Sequence, residues 1–482
     1  MAAEFATDLS ENKLWFTEQK SEGLSTRRNG RGARELGKRA VVIGAGMGGL
    51  TAAGALAQYF ERVDILERDR LTATVGSRSG TPQDRHPHGL LAGGLRALDQ
   101  IFPGFKSDLA AAGAVPVSSA REVQFERPDV GVLPKRDFGI SVLCATRPLI
   151  ERALRRRAEA VPNVTLRPAS RVTGIVPVDG GAGARGVRFV NGAGRSETLD
   201  ADLVVDASGR GALTSTLFDA LGWERPAETE VGVDLSYATV VVAIPPNAPS
   251  DWKLVLTQPD PPFLPLHAVL VPIEGEHWII AIVDHRATER LETWNAFLDA
   301  SRSLITPTVY NALRYARPPE GIRHFRFPVS TWKHFERLPR LPHGVLPVAD
   351  SLCRFNPIHG QGMSSASLQA RLLQDVLHRA ADEPDPIAAL QSGFMSEVAS
   401  VLETPWTMST GADLAFPWTR GERPDNFAEA QRFEAALFRA SVVDPVVHRA
   451  MMEVAQLLQP HSLLQEPNII RRIGAVPAKA AA

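Results

Sequence analysis

Six residues near the start of the chain, Gly44-Ala45-Gly46-Met47-Gly48-Gly49, have the spacing to hold a pyrophosphate. Gly44 permits a tight turn, Gly46 lets the backbone approach an anion, and Gly49 lets a helix pack closely on a strand. Glu67 follows about where an acid would bind the ribose hydroxyls of an adenosine. A second turn lies roughly three hundred residues on, in Ala349-Asp350-Ser351-Leu352-Cys353-Arg354-Phe355-Asn356-Pro357-Ile358-His359-Gly360-Gln361-Gly362-Met363. There an acid ends an apolar run, Pro357 breaks the chain, and Gly360 and Gly362 open a new segment.

The elements that must position these residues are legible around them. Arg39-Ala40-Val41-Val42-Ile43 is a short β-branched run and predicts a strand, and Leu50 to Ala57 reads as helix. Val63-Asp64-Ile65-Leu66 predicts the next strand and delivers Glu67 at its end, with Arg68 beside it. Strand, turn, helix and acid together indicate dinucleotide binding. The first turn does not distinguish FAD from NAD, because both present the same ADP half. Further strand-turn motifs follow at Leu203-Val204-Val205-Asp206-Ala207-Ser208-Gly209-Arg210-Gly211 and at Gly344 to Asp350. A helix from Met363 to about His378 has its N-terminus at Gly360-Gln361-Gly362, where its free N–H groups favour negative charge.

With these motifs the chain resembles the FAD-dependent monooxygenases of the para-hydroxybenzoate hydroxylase fold, the group A flavin monooxygenases, over roughly residues 38 to 380. The resemblance implies FAD held by Gly44, Gly46, Met47, Gly48, Gly49, Glu67, Arg68, Arg85, Arg147, Gly209, Asp350, Pro357, Gly360, Gln361, Gly362 and Met363. In it Asp350 accepts from ribityl hydroxyls, and the Met363 helix faces N1 and C2=O of the isoalloxazine. Arg147, opening a helix, reaches the ribityl or phosphate region. The family has Gly where Ala349 stands. It also has Asp-Gly where Ser208-Gly209 stands, and the Asp-Ala-Ser-Gly-Arg form is similar to flavin halogenases, geranylgeranyl reductases and polyketide epoxidases. That departure leaves the electron donor open between NADPH or NADH and a separate flavin reductase. Asp206 is read as a loop cap in preference to a catalytic acid.

The fold class expected is α/β: a Rossmann-type FAD-binding domain of the GR2 kind, an inserted mixed-sheet substrate domain and a helical C-terminal region. The expected divisions are a disordered tail over 1–37, an FAD-binding domain over 38–228 and 333–385, a substrate-binding sheet over 229–332 and helices over 386–482. Some strands of 105–145 are expected to join the substrate layer. A glycine-rich hairpin is predicted between Arg171–Pro177 and Gly186–Val190.

The formal net charge of -1 gives no electrostatic case for nucleic acid. The two cysteines, Cys144 and Cys353, are too few for a disulfide framework, and no His/Cys spacing suggests a metal. No apolar run reaches membrane-spanning length, and a cytoplasmic enzyme is expected.

The resemblance implies insertion of one oxygen atom from O2, through a flavin C4a-hydroperoxide, into a hydrophobic natural-product intermediate, by epoxidation of an alkene or by hydroxylation. His88, in Arg85-His86-Pro87-His88, is the weak catalytic candidate, with stabilisation of its own loop the alternative. The rivals are a flavin-dependent double-bond reductase and a non-catalytic prenyl- or lipid-binding protein of related fold. Halogenation is disfavoured, since the chain has no Trp-x-Trp-x-Ile-Pro element and no lysine between Lys38 and Lys106.

Overall fold

The computed structural model describes residues 35–72, 74, 76–287 and 290–476. The expected N-terminal tail therefore lies, up to residue 34, outside the described residues.

The β-branched run near the start forms strand Gly37–Ile43, whose Val41 and Val42 are fully buried. Burial on both faces explains why its sequence is a continuous apolar run instead of an alternation. It is the centre of a five-stranded sheet in the order Val345–Pro347, Leu203–Asp206, Gly37–Ile43, Phe60–Leu66, Val164–Arg167, with every pair parallel. Because the chain leaves the central strand toward one neighbour and later returns on the other side, a crevice opens at its carboxyl end, where nucleotides bind in such sheets.

Each face of this sheet has its own cover. On one, Leu50, Leu56, Ile150, Leu373 and Phe394 from helices Met47–Leu56, Arg147–Glu159, Gly362–Ala380 and Pro386–Asp413 pack into a common core with Val42 and Val205. On the other, Ile175, Val187, Phe189 and Leu217 pack on Val41 and Val204. They come from helix Ala212–Leu221 and a three-stranded antiparallel sheet that contains the hairpin Arg171–Pro177 and Ala184–Val190.

A second sheet has eight strands, in the order Cys353–Arg354, Arg323–Lys333, Glu228–Ala243, His277–Asp284, Leu266–Ile273, Leu254–Thr257, Val123–Arg127, Gly131–Val132. Val123–Arg127 joins parallel to Leu254–Thr257, so an early segment supplies part of this layer. Period-2 alternation splits its residues between two faces. Val240, Leu270, Ile280 and Ile282 pack under helices Trp294–Arg302 and Thr308–Leu313. Tyr237, Ala281, Val283 and Phe327 turn the other way, toward Ile358 of the second glycine-rich turn and Leu414 at the end of helix Pro386–Asp413.

Helices Phe427–Val443, Pro445–Ala455 and Pro467–Gly474 form a further core around Leu437, Val447, Met451 and Ile469, joined by Leu133. No described helix is long and apolar enough to cross a membrane.

Phe297 is fully buried in the outer cover of the eight-stranded sheet, on the face turned away from the glycine turns. Phe297→Ala is expected to cost about 3–5 kcal/mol of stability while leaving the flavin absorbance of the purified protein in place. Thermal unfolding and a visible spectrum of the same sample check both halves.

Candidate nucleotide and flavin site

At the first turn each glycine has a separate reason to be glycine. Gly44 has φ +98°, and a Cβ there would lie 2.8 Å from the Ala207 carbonyl oxygen. A Cβ on Gly49 would lie 1.8 Å from the Gly44 carbonyl oxygen, so nothing larger than hydrogen fits. Gly46 differs: a Cβ would meet nothing closer than Arg78 Nη2 at 3.9 Å, which leaves a cradle open on the ligand side. Helix Met47–Leu56 has no side-chain cap, so its first amides keep their hydrogens free for an anion.

Around this turn runs a buried chain of charges. The Ala45 N–H donates to Glu67 Oε2 at 2.8 Å, and Asp69 N donates to Oε1 at 2.9 Å. Oε1, with that one donor, keeps a further lone pair for a ribose hydroxyl. Arg78 Nη1 stands 3.3 Å from Glu67 and 3.0 Å from Asp69, while its Nε donates to Glu151 Oε2 at 3.1 Å. Arg147, first residue of its helix, donates from Nε to Glu151 Oε1 at 2.8 Å. Burial by itself raises the Glu151 pKa, but Arg147 and Arg78 outweigh it and hold the carboxyl below its ordinary value. Burial likewise opposes the Arg78 charge, and Glu151 and Glu67 reverse that, leaving its pKa above the ordinary one.

The second turn meets the sheet beside the first. Asp350 accepts no hydrogen bond from the described residues. Burial raises its pKa, and Arg354 and Arg147 lower it only in part. Arg147 thus acts on both Glu151 beside the first turn and Asp350 in the second. Asn356 caps the short turn Pro357–His359 by accepting from Ile358 N, and Gly360 follows at φ +65°. Helix Gly362–Ala380 then starts without a side-chain cap, with Met363 buried in its first turn. Gly209, Gly360 and Gly362 all have open space where a Cβ would be.

Other sequence candidates lie as follows. Arg68 is exposed, and Arg85 is exposed with its Nε on Ser77 Oγ at 3.3 Å. Asp206 is a loop cap, accepting from Ser208 N, Thr214 N and Thr214 Oγ1. His88 donates from Nδ1 to the His86 carbonyl oxygen at 2.7 Å, which leaves its Nε2 as an acceptor. Burial, then the nearby Arg147 charge, pushes its pKa down to about 3. His86 is bound to Thr239 Oγ1 of the eight-stranded sheet at 2.6 Å, with its pKa pushed down to about 4, chiefly by burial. Cys353 is buried, and that burial raises its thiol pKa well above the ordinary value.

Surface recesses of about 540 and 690 Å³ open at the amino ends of the parallel strands, lined by Lys38, Arg39, Arg185 and Asp202 among others. They lie at the opposite end of the sheet from the glycine turns and are not where this fold binds nucleotides.

Residues 38–377 match the family model described as "FAD binding domain". The chain belongs to this family. A relative from Mycobacterium tuberculosis (strain ATCC 25618 / H37Rv), "Protein Rv3254", is 30% identical over 460 residues, covering 89% of this chain and 91% of that protein. Among solved structures, p-nitrophenol 4-monooxygenase PnpA from Pseudomonas putida DLL-E4 superimposes with a TM-score of 0.61 at 18% identity, covering 88% of this chain and 99% of that one. A flavoprotein/dehydrogenase from Cytophaga hutchinsonii gives 0.65 at 14% identity, covering 92% and 98%. At such identities the likeness shows a shared fold, that of the FAD-dependent monooxygenases. The open glycine cradles, the uncapped helix starts and the free lone pair of Glu67 Oε1 fit FAD.

Sequence reasoning missed Arg78 and Glu151 in this flavoprotein. Glu151 had a signal, since it stands four residues after Arg147 on one helix face. Arg78 had none, because it reaches the site from an irregular loop.

Arg78→Ala is expected to weaken FAD retention by roughly tenfold or more, since a charged hydrogen bond contributes on the order of 1.5–3 kcal/mol. Arg68→Ala should leave it unchanged, and equilibrium dialysis of the two variants separates the arginines. For Glu151 the folded pKa is depressed, so its stabilisation is complete above the unfolded carboxylate value of about 4.3. It is lost as pH falls through the lower folded value. Glu151→Gln should therefore flatten the acid limb of the stability profile, read as Tm against pH.

Proposed function

We propose that this flavoprotein is an FAD-dependent monooxygenase that inserts one oxygen atom from O2 into a hydrophobic natural-product-like molecule, by epoxidation or hydroxylation. Electrons come from NADPH or NADH, or from a separate flavin reductase. The observation that carries the reading is the meeting of two glycine-opened, uncapped helix N-termini at the carboxyl end of one parallel sheet, beneath an apolar sheet face.

Bound FAD supplies the redox chemistry and the activation of oxygen. The chain's own part is to bind, orient and shield. Gly44, Gly46, Met47, Gly48 and Gly49 receive the pyrophosphate, Glu67 the adenosine ribose, and Arg147 with Asp350 the ribityl region. Pro357, Gly360, Gln361, Gly362 and Met363 form the uncapped start of a helix whose positive end would favour negative charge on a bound flavin. Gly209, with its ligand side open, adds a backbone approach. Arg78 and Glu151 hold Glu67 and Arg147 in place. Val283, Ala281 and Phe325 on the sheet face favour an apolar substrate and keep water away. His88, with Nδ1 committed to the His86 carbonyl, is available at Nε2 only as an acceptor.

The test is oxygen uptake by the FAD-loaded protein with NADPH or a flavin reductase, run with isotopically labelled O2 and a panel of polyenes and aromatic polyketides. Incorporation of one labelled atom into a product supports the proposal. Saturation of a double bond without oxygen uptake would replace it with the reductase reading. A purified protein that cannot be loaded with FAD would favour a binding protein.

A further inference from the structure

Ala349 enters the second glycine turn at φ +54°, in the left-handed region that glycine occupies freely and an L-residue occupies only at a cost. Its methyl group faces the first turn, where a Cβ on Gly48 would lie 2.5 Å from it. An alanine with nothing to hold it returns to negative φ, at about −60°. From +54° that is a rotation of about 115° at the residue that sets the direction of Asp350. The carboxylate placed in the ribityl region would then turn out of the crevice.

The hydrogen bonds around residue 349 show what holds it. Val348 N donates to the Asp206 carbonyl oxygen, so the chain is fixed to the neighbouring parallel strand up to that point. Ser351 N donates back to the Val348 carbonyl and Leu352 N to that of Ala349, closing the short turn Ala349–Ser351. The Ala349 N–H donates to Gln369 Oε1 at 2.8 Å. Gln369 is buried on helix Gly362–Ala380, the helix that the turn itself leads into. Its Nε2 donates to Ser365 Oγ at 3.3 Å, one helical turn earlier. That contact fixes which end of the amide meets residue 349, since the flipped amide would set two donors against each other.

We infer that Gln369 is a positioning residue for the cofactor: its bond to the Ala349 N–H holds a left-handed alanine where the family has glycine, and so keeps Asp350 directed into the crevice. Gln369 acts through the backbone of residue 349. The inference rests on the placing of Asp350 at the ribityl region and adds the group that keeps it there. The two positions are therefore coupled. Alanine at 349 requires the amide, whereas glycine, at home in the left-handed region, does not.

The test is a double-mutant cycle on the full chain, with FAD affinity of the apoprotein read by equilibrium dialysis and folding followed by thermal unfolding. Gln369→Leu, similar in size and without an acceptor, is expected to weaken FAD binding roughly tenfold, because a relaxed turn must return to the left-handed conformation before FAD binds. Ala349→Gly alone should leave the affinity within about threefold. In the Ala349→Gly background, Gln369→Leu should also cost no more than about threefold. Rescue by a change at residue 349 separates positioning from a general packing role, which would be lost equally in both backgrounds. Equal losses in the two backgrounds, or no loss with alanine at 349, would overturn the inference. Should Gln369→Leu not fold, Ser365→Ala, which releases the amide without removing it, goes through the same cycle. It should lose roughly two- to fivefold with alanine at 349 and nothing in the Ala349→Gly background, and equal losses would again overturn the inference. Asp350→Ala separates the two readings: unchanged FAD affinity there, beside a coupled cycle, would remove the ribityl assignment and leave the positioning of the turn by Gln369 standing.

Discussion

The tightest constraint in the molecule is between two stretches of backbone: the Gly49 Cα passes so close to the Gly44 carbonyl that an added methyl would lie 1.8 Å from that oxygen. This approach sets the angle at which helix Met47–Leu56 leaves the central strand and aims its free amides into the crevice. Gly48 carries the constraint onward, because a Cβ there would meet Ala349 Cβ at 2.5 Å, so the two glycine turns fit together only while both stay lean. Ala349 itself takes φ +54°, a left-handed conformation that costs an L-residue roughly 1–2 kcal/mol. The family's glycine at this position therefore has a backbone reason, and alanine is accommodated here with some strain.

Electrostatics follows that geometry. Glu67 is placed by a strand, Glu151 and Arg147 by a helix, and Arg78 by a loop, and they meet only because the parallel sheet brings their ends together. Removing one partner of such a buried chain leaves another charge without compensation, which is far more costly than the chain as a whole is stabilising. The arrangement thus fixes the loop after Phe60–Leu66 against the ligand side without a metal or a disulfide among the described residues.

The parallel sheet, the first turn and the glycine-opened helix at residue 362 were legible because each rests on local sequence: a β-branched run, glycine spacing, a chain-breaking proline. That Arg147 opens a helix was legible for the same reason, since it stands directly before Pro148. What local pattern does not encode is which distant side chain completes a site. Arg68 and Arg85 sit near the expected contacts in sequence, yet both are exposed, while Arg78 bends inward. Asp206, read from sequence as a loop cap, is one in space, accepting from Ser208 N two residues on and from Thr214 at the start of the next helix.

The parallel edge strand Val345–Pro347 lies next to Leu203–Asp206 in space but is among the last parts of the cofactor site to be made. At about 5–20 residues per second on the ribosome, roughly 15–60 s separate the emergence of the first glycine turn from that of the second. During that interval Val204 and Val205 have no outer neighbour, and the second glycine turn does not yet exist. A site that needs both turns is therefore incomplete until residue 362 has been made, and a nascent chain stalled before residue 345 would present an unsatisfied parallel edge to chaperones.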